Sequence, residues 1–252
     1  MTSSAHGQRE RSDARSNRLT VASYNLHSCV GWDGKRSPAR IAEVLRELDC
    51  DIYALQEVDN QPGEHEESMQ LEYLSNALDM AAVPGLRIVR HTGEYGNALL
   101  TRLPIVHVRR HDLSYSRAEP RGALDVELDL RGRPLRIIAT HLGLRRSERR
   151  FQWHRLMVAI GEGSMEMPLI VIGDMNEWYR GAATLREAHL AFGEPPAPPG
   201  FPSFAPLLAL TRIWVRPRSA IESVVIHRSA LARQASDHLP LKAVLDVSKL
   251  HA

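Results

Sequence analysis

The sequence predicts an α/β fold built from two β-sheets flanked by helices. Three observations carry this: a β-α-β start, a central run of short strands joined by short turns, and a return to helix-strand alternation after residue 145. The chain has 252 residues, 43% of them hydrophobic and 25% charged, a composition that supports one large core.

The first strand is Leu19–Tyr24, rich in strand formers. Ser37 and Pro38 mark a helix start, an N-cap followed by proline at the first helical position. Ile41, Val44, Leu45 and Leu48 then recur on one helical face, and the helix stops near Asp49, before the strand Ile52–Leu55. Leu71, Leu74 and Leu78 mark a second amphipathic helix. Short strands follow at Leu86–Val89, Ala98–Thr101, Ile105–Val108, Ala123–Leu130 and Leu135–Thr140, and their short connections imply antiparallel pairing. A helix capped by Ser147 runs through Phe151, Leu156 and Ile160 to Gly161 and Gly163, and leads to the strand Leu169–Ile172. The stretch from Pro195 to Pro206 is a proline-rich surface loop. Strands at Ile213–Val215, Ser223–Ile226 and Leu241–Val247 close the chain, with no internal repeat. Residues 1–17 read as a disordered tail and 18–252 as a single domain.

Charge and cysteine content narrow the function. The net charge is +2, and residues 19–252 carry 28 basic and 28 acidic side chains. That balance argues against a broad basic face tracking nucleic acid, while leaving room for a local patch. Cys29 and Cys50 are the only cysteines, so neither a disulfide framework nor a cysteine-based zinc site is expected, and reduced thiols fit a cytoplasmic protein. No apolar run approaches the roughly 20 residues of a membrane helix. Dinucleotide, P-loop and serine-hydrolase motifs are absent; Gly161-Glu162-Gly163-Ser164-Met165-Glu166 lacks the closing glycine of G-x-G-x-x-G.

Polar residues cluster where predicted strands end. Asn25 follows the first strand, Gln56-Glu57 the second, His141 the strand Leu135–Thr140, and Gly173-Asp174-Met175-Asn176 the strand Leu169–Ile172. Ser236-Asp237-His238 precedes the last strand. Ligands of open α/β sheets lie outside such strand ends. Carboxylates with asparagine and histidine suit a hard cation such as Mg²⁺, with Glu57 the leading ligand. Asp174 can take a proton from water held by Asn176, while His141 and His238 donate to phosphoryl oxygens. This is the chemistry of metal-assisted phosphoester hydrolysis.

Six blocks carry a family resemblance: Tyr24-Asn25-Leu26-His27, Gln56-Glu57-Val58, Gly96-Asn97-Ala98-Leu99-Leu100-Thr101-Arg102, Thr140-His141-Leu142-Gly143, Gly173-Asp174-Met175-Asn176 and Ser236-Asp237-His238. In this order they resemble the endonuclease/exonuclease/phosphatase superfamily over about residues 19–247, and specifically its small bacterial members. The resemblance implies a four-layer α/β/β/α sandwich of two mixed, mainly antiparallel sheets, and dependence on Mg²⁺ or Mn²⁺. It implies Asn25, Glu57 and Asp237 on the metal side, Asp174 and Asn176 preparing the attacking water, and His141 and His238 at the phosphate. Asn97 and Arg121 occupy positions that often face the family's cleft and join as substrate-binding candidates; nearby Tyr95 carries a hydroxyl that could hydrogen-bond a phosphate. The implied activity is that of a phosphodiesterase, with a DNA or RNA nuclease as the second reading. Nucleic acid, phospholipid head groups, inositol phosphates and nucleotides all remain open as substrates.

One position departs from the pattern. Members carry aspartate in a Leu-Asp-Arg-Ile block, where it orients the histidine of Ser-Asp-His; here the block is Leu210-Thr211-Arg212-Ile213. Thr211 offers no charge, so an impaired binding or scaffold protein is the third reading. Taken singly, Asn25 reads as a turn residue, Glu57 as a strand-end acid and each histidine as a surface or core residue; order and co-occurrence reverse this. The run Arg145–Arg150 reads as a solvated helix face, and Trp178 equally as pocket wall or core.

Overall fold

The computed structural model describes residues 17–63, 66–90 and 93–251. The expected tail lies outside the described residues except for Asn17, whose carbonyl accepts from Val247 N–H.

Eleven strands form two sheets among the described residues. In the first, order β10-β11-β1-β2-β4-β3, are β1 (Arg18–Asn25), β2 (Ile52–Asn60), β3 (Ala81–Arg90), β4 (Gly93–Thr101), β10 (Ile221–Ile226) and β11 (Leu241–Asp246). The second, order β5-β6-β7-β8-β9, holds β5 (Ile105–Asp112), β6 (Gly122–Asp129), β7 (Pro134–His141), β8 (Leu169–Asp174) and β9 (Thr211–Arg216). Each sheet contains one parallel pair, β1 with β2 and β7 with β8, and its other pairings are antiparallel.

Strand alternation sorts the side chains into layers. Leu19 and Val21 of β1, Ile52 and Ala54 of β2, Ile137 and Ala139 of β7 and Ile170 and Ile172 of β8 meet between the sheets. The intervening Ala22, Tyr24, Tyr53 and Leu55 face α1 (Pro38–Leu48) and α2 (Gln70–Leu78). On the far side Ile138, Leu169, Val171 and Trp214 face α3 (Arg146–Gly161) and α4 (Ala183–Phe192). The result is the expected α/β/β/α sandwich. Each fully buried Leu or Ile of these layers contributes about 1.5–3 kcal/mol.

Local signals explain the boundaries. Ser37 Oγ accepts from Arg40 N at 3.2 Å, Pro38 opens α1, and Asp49 ends it in the left-handed region at φ 44°. The third strand is longer than expected, because Pro84 is tolerated on the edge strand β3. Ser147 is inside α3 rather than its cap: the cap position is Arg145, whose N–H faces the Glu148 carboxylate at 3.5 Å. Phe151 turns outward, whereas Leu156 and Ile160 are buried. The sequence reading passed over α4, which lacks a capping side chain at Ala182 and shows its buried face only through Leu185, Ala188 and Phe192. It also passed over two short helices, α5 (Ala230–Ala235) and α6 (Val247–Leu250).

Candidate active site

The two parallel pairs end at one place. Asn25 lies beside Gln56 at the end of β1 and β2, and His141 lies beside Asp174 at the end of β7 and β8. Asn25 joins the sheets: its Nδ2 donates to Glu57 Oε1 at 2.8 Å and to Asp174 Oδ2 at 3.2 Å. Its Oδ1 accepts from His27 N at 3.0 Å.

Backbone irregularities aim the side chains. Glu57 sits at φ 58°, where the β2–β4 register shifts between Leu55 and Val58. Asn176 sits at φ 49°. Such left-handed non-glycine residues cost about 1–3 kcal/mol and concentrate at functional sites. Gly173 is required by contact: its φ is 150°, and a Cβ there would lie 1.8 Å from Thr140 O.

Asp174 is the centre of the cluster and is fully buried. Its Oδ1 accepts from Asn176 N at 2.9 Å, and its Oδ2 faces His238 Nε2 at 3.7 Å and His141 Nε2 at 3.9 Å. Burial alone would raise its pKa, but the two histidines and the N–H groups of Asn176 and Asn25 outweigh it and hold the carboxyl below its usual range. His141 is pushed the other way, down to about 4, by burial first and by the Arg121 guanidinium second. It is therefore a neutral imidazole near pH 7. Arg121 Nη1 lies 3.2 Å from its Nδ1, and Asn176 Nδ2 lies 3.0 Å from its Nε2. Both neighbours are donors. A neutral imidazole has one acceptor nitrogen, so it accepts from only one of these two donors at a time.

Asp237 is partly exposed, with Oδ1 3.9 Å from both His238 Nε2 and His27 Nδ1. Seven predicted residues, Asn25, Glu57, His141, Asp174, Asn176, Asp237 and His238, thus form one chain of contacts, and Arg121 joins it through His141. Asn97 is tied to the neighbouring backbone, donating from Nδ2 to Gly122 O at 3.1 Å. Tyr95 is hydrogen-bonded with Glu57; burial raises the phenol pKa, and the negative charge of Glu57 adds to this. Trp178 is 59% exposed, so it is not core; it lines a cavity with Arg180 and Arg212 that includes none of the site residues above.

The sequence reading missed several supports. Phe201 of the proline-rich loop packs on the His238 ring at 4.7 Å between centroids. Ser203 N donates to Asp237 O at 2.7 Å, so the loop is docked beneath the Ser-Asp-His turn rather than being a bare connection. Ser236 Oγ donates to Asn25 O at 2.7 Å, and its place in the Ser-Asp-His block was the available signal. No carboxylate besides Asp174 and Asp237 lies within ion-pair distance of His238 among the described residues. Thr211 is opposite Asp174 across the β8–β9 pair.

Among the described residues no three His, Cys, Asp or Glu side chains form a metal cluster. Mg²⁺ does not need one, since one or two carboxylates commonly hold it together with waters and substrate oxygens. The partly exposed carboxylates of Glu57 and Asp237 are donors of the right kind, and the residues present fit such an ion.

The family model described as "Endonuclease/Exonuclease/phosphatase family" matches residues 22–238. YbhP, an uncharacterized protein of Escherichia coli strain K12, is 32% identical over 244 residues, covering 88% of this chain and 94% of YbhP. A solved endonuclease/exonuclease/phosphatase from Beutenbergia cavernae superposes with a TM-score of 0.69 at 21% identity, covering 91% of this chain and 72% of that one. A mannosyl-6-phosphatase from Bacteroides thetaiotaomicron superposes with a TM-score of 0.67 at 21% identity, covering 89% and 98%. Those two structures support the fold.

Proposed function

This chain belongs to the endonuclease/exonuclease/phosphatase family, whose members hydrolyse phosphoester bonds, and from that premise we propose that it is a divalent-metal-dependent phosphodiesterase. The observation that carries the reading is Asp174, a buried carboxylate held ionised where the two parallel strand pairs meet.

Glu57 and Asp237, with Asn25 fixing Glu57, would hold Mg²⁺ or Mn²⁺, which when bound supplies positive charge to a phosphoryl oxygen. Asn176 donates to Leu142 O at 2.8 Å through Nδ2, which leaves Oδ1 to accept from a water molecule. Asp174 takes that water's proton as its oxygen attacks phosphorus in line with the leaving group. With Arg121 donating to Nδ1, His141 carries its proton on Nε2 and, once the Asn176 amide turns from that nitrogen to Leu142 O alone, donates it to a phosphoryl oxygen as negative charge builds. His238, whose Nε2 faces the same Asp174 oxygen, supplies a second donor. Two buried, unpaired thiols accord with a cytoplasmic location.

The test is hydrolysis of bis(p-nitrophenyl) phosphate with added Mg²⁺ or Mn²⁺. Asp174→Ala and Glu57→Ala are expected to lose at least about 100-fold in rate. Equal background rates in wild type and both variants would reject the enzyme reading.

A further inference from the structure

The run Arg145–Arg150 is not a uniform solvated face. Arg149 is buried, its Nε donating to Glu177 Oε2 at 3.0 Å. Arg146 and Arg150, with His154 one turn further, line a cavity of about 590 Å³ on the outer side of α3. None of these three side chains has a hydrogen bond or ion pair among the described residues. Like charges four residues apart disfavour a helix, so this stripe is not explained by helix stability. Glu177 is the cavity's only carboxylate, and it is already engaged by Arg149 and by Tyr179 N–H at 3.2 Å.

The cavity also presents an aromatic face. Phe151 is 39% exposed and packs at 5.2 Å and 52° against Tyr115. Tyr115 in turn borders a second cavity, of about 510 Å³, lined by Arg117, Arg121 and Arg145. Arg121 is the residue on His141 Nδ1, so the two cavities lead stepwise away from the candidate active site. In the second cavity Glu119 pairs with Arg121 at 2.9 Å and Glu148 faces Arg145 at 3.8 Å, which leaves Arg117 as unmatched cation.

Resting on the phosphodiesterase reading, we propose that the Arg146–Arg150–Phe151 cavity is a distal subsite for a single nucleic-acid strand, taking a second phosphate on the arginines and a base against Phe151. Unpaired guanidinium groups beside an exposed ring suit phosphate and a flat base together. An acyl chain would lie against the same arginines without matching their charge, and an inositol ring offers no face to stack. The neutral body of the chain is compatible with this, because the subsite needs only a local group of arginines.

The experiment measures binding of fluorescein-labelled pentathymidylate by fluorescence polarization in EDTA across a salt series, with catalysis silent. Wild type is expected to bind. The double variant Arg146→Ala, Arg150→Ala is expected to bind at least about tenfold more weakly, with a log–log salt slope shallower by about 0.7, the share of one phosphate. Phe151→Ala is expected to bind about tenfold more weakly with its slope unchanged. In both, hydrolysis of bis(p-nitrophenyl) phosphate, too short to reach the cavity, should match wild type. Absence of wild-type binding, variants that bind like wild type, or preferential capture by phosphatidylglycerol vesicles would each overturn the proposal. A parallel loss of bis(p-nitrophenyl) phosphate hydrolysis in these variants would do the same. Failure of wild type to hydrolyse that diester would reject the phosphodiesterase reading alone, because the binding arm does not depend on it.

Discussion

Replacing Asn25 by alanine removes the one side chain that, among the described residues, hydrogen-bonds to both Glu57 and Asp174. The bond to Asp174 is buried and charge-assisted, a class worth about 1.5–3 kcal/mol. The bond to Glu57 is partly exposed and contributes about 0.5–1 kcal/mol after solvent screening. His27 N–H loses its acceptor but belongs to an exposed residue that water can reach. The expected loss is therefore about 2–4 kcal/mol at pH 7, or a Tm lower by roughly 5–15 °C for a chain of this size. The pH dependence has a definite sign. Asp174 has a depressed folded pKa, so its contribution is present above the unfolded value near 3.9 and fades as pH falls through the folded one. Without the Asn25 donor that depression shrinks, so the deficit should be full at pH 7 and 5 and narrow below about pH 4. Urea unfolding at pH 7, 5 and 3.5 measures this directly. A loss under about 0.5 kcal/mol at pH 7 would show that Asn25 does not clamp the carboxylates.

Three further substitutions probe the same site. His141→Gln should remove a stability loss of about 3 kcal/mol that wild type suffers as pH falls from 6.5 to 4, where the unfolded histidine binds a proton and the buried one, at about 4, does not; urea midpoints across that window decide it. Gly173→Ala forces a Cβ to 1.8 Å from Thr140 O, so it should cost at least about 4 kcal/mol, and a near-wild-type urea midpoint would contradict the geometry. Thr211→Asp restores a carboxylate in the strand beside β8 and should raise metal-dependent turnover about tenfold; an unchanged or lower rate in the folded variant counts against a need for that acid.

The layers were legible because burial imposes periodicity. Ile41, Val44, Leu45 and Leu48 could lie on one helical face only, and all four are buried in the outer core. The site was legible for a related reason: polar groups at the ends of buried strands are costly unless they are paired, so Asn25, His141 and Asp174 stand out against apolar neighbours. What escaped was tertiary. Nothing local in Gly200-Phe201-Pro202-Ser203 indicates that it docks under His238, and nothing in Arg145–Arg150 separates the buried Arg149 from its cavity-lining neighbours. The α4 helix escaped because its cap is backbone alone and its apolar stripe is short.

The change at position 211 alters how the site's protons are coupled. With threonine there, the carboxylates near His238 are Asp174 and Asp237, at 3.7 and 3.9 Å. In the proposed mechanism Asp174 therefore has two partners, the water it would deprotonate and the His238 ring it faces, so a variant at position 211 acts on both through one carboxylate. Asp174 and His141 each shift the other, so a pH–rate profile of this protein is expected to report apparent pKa values of that pair rather than of either member.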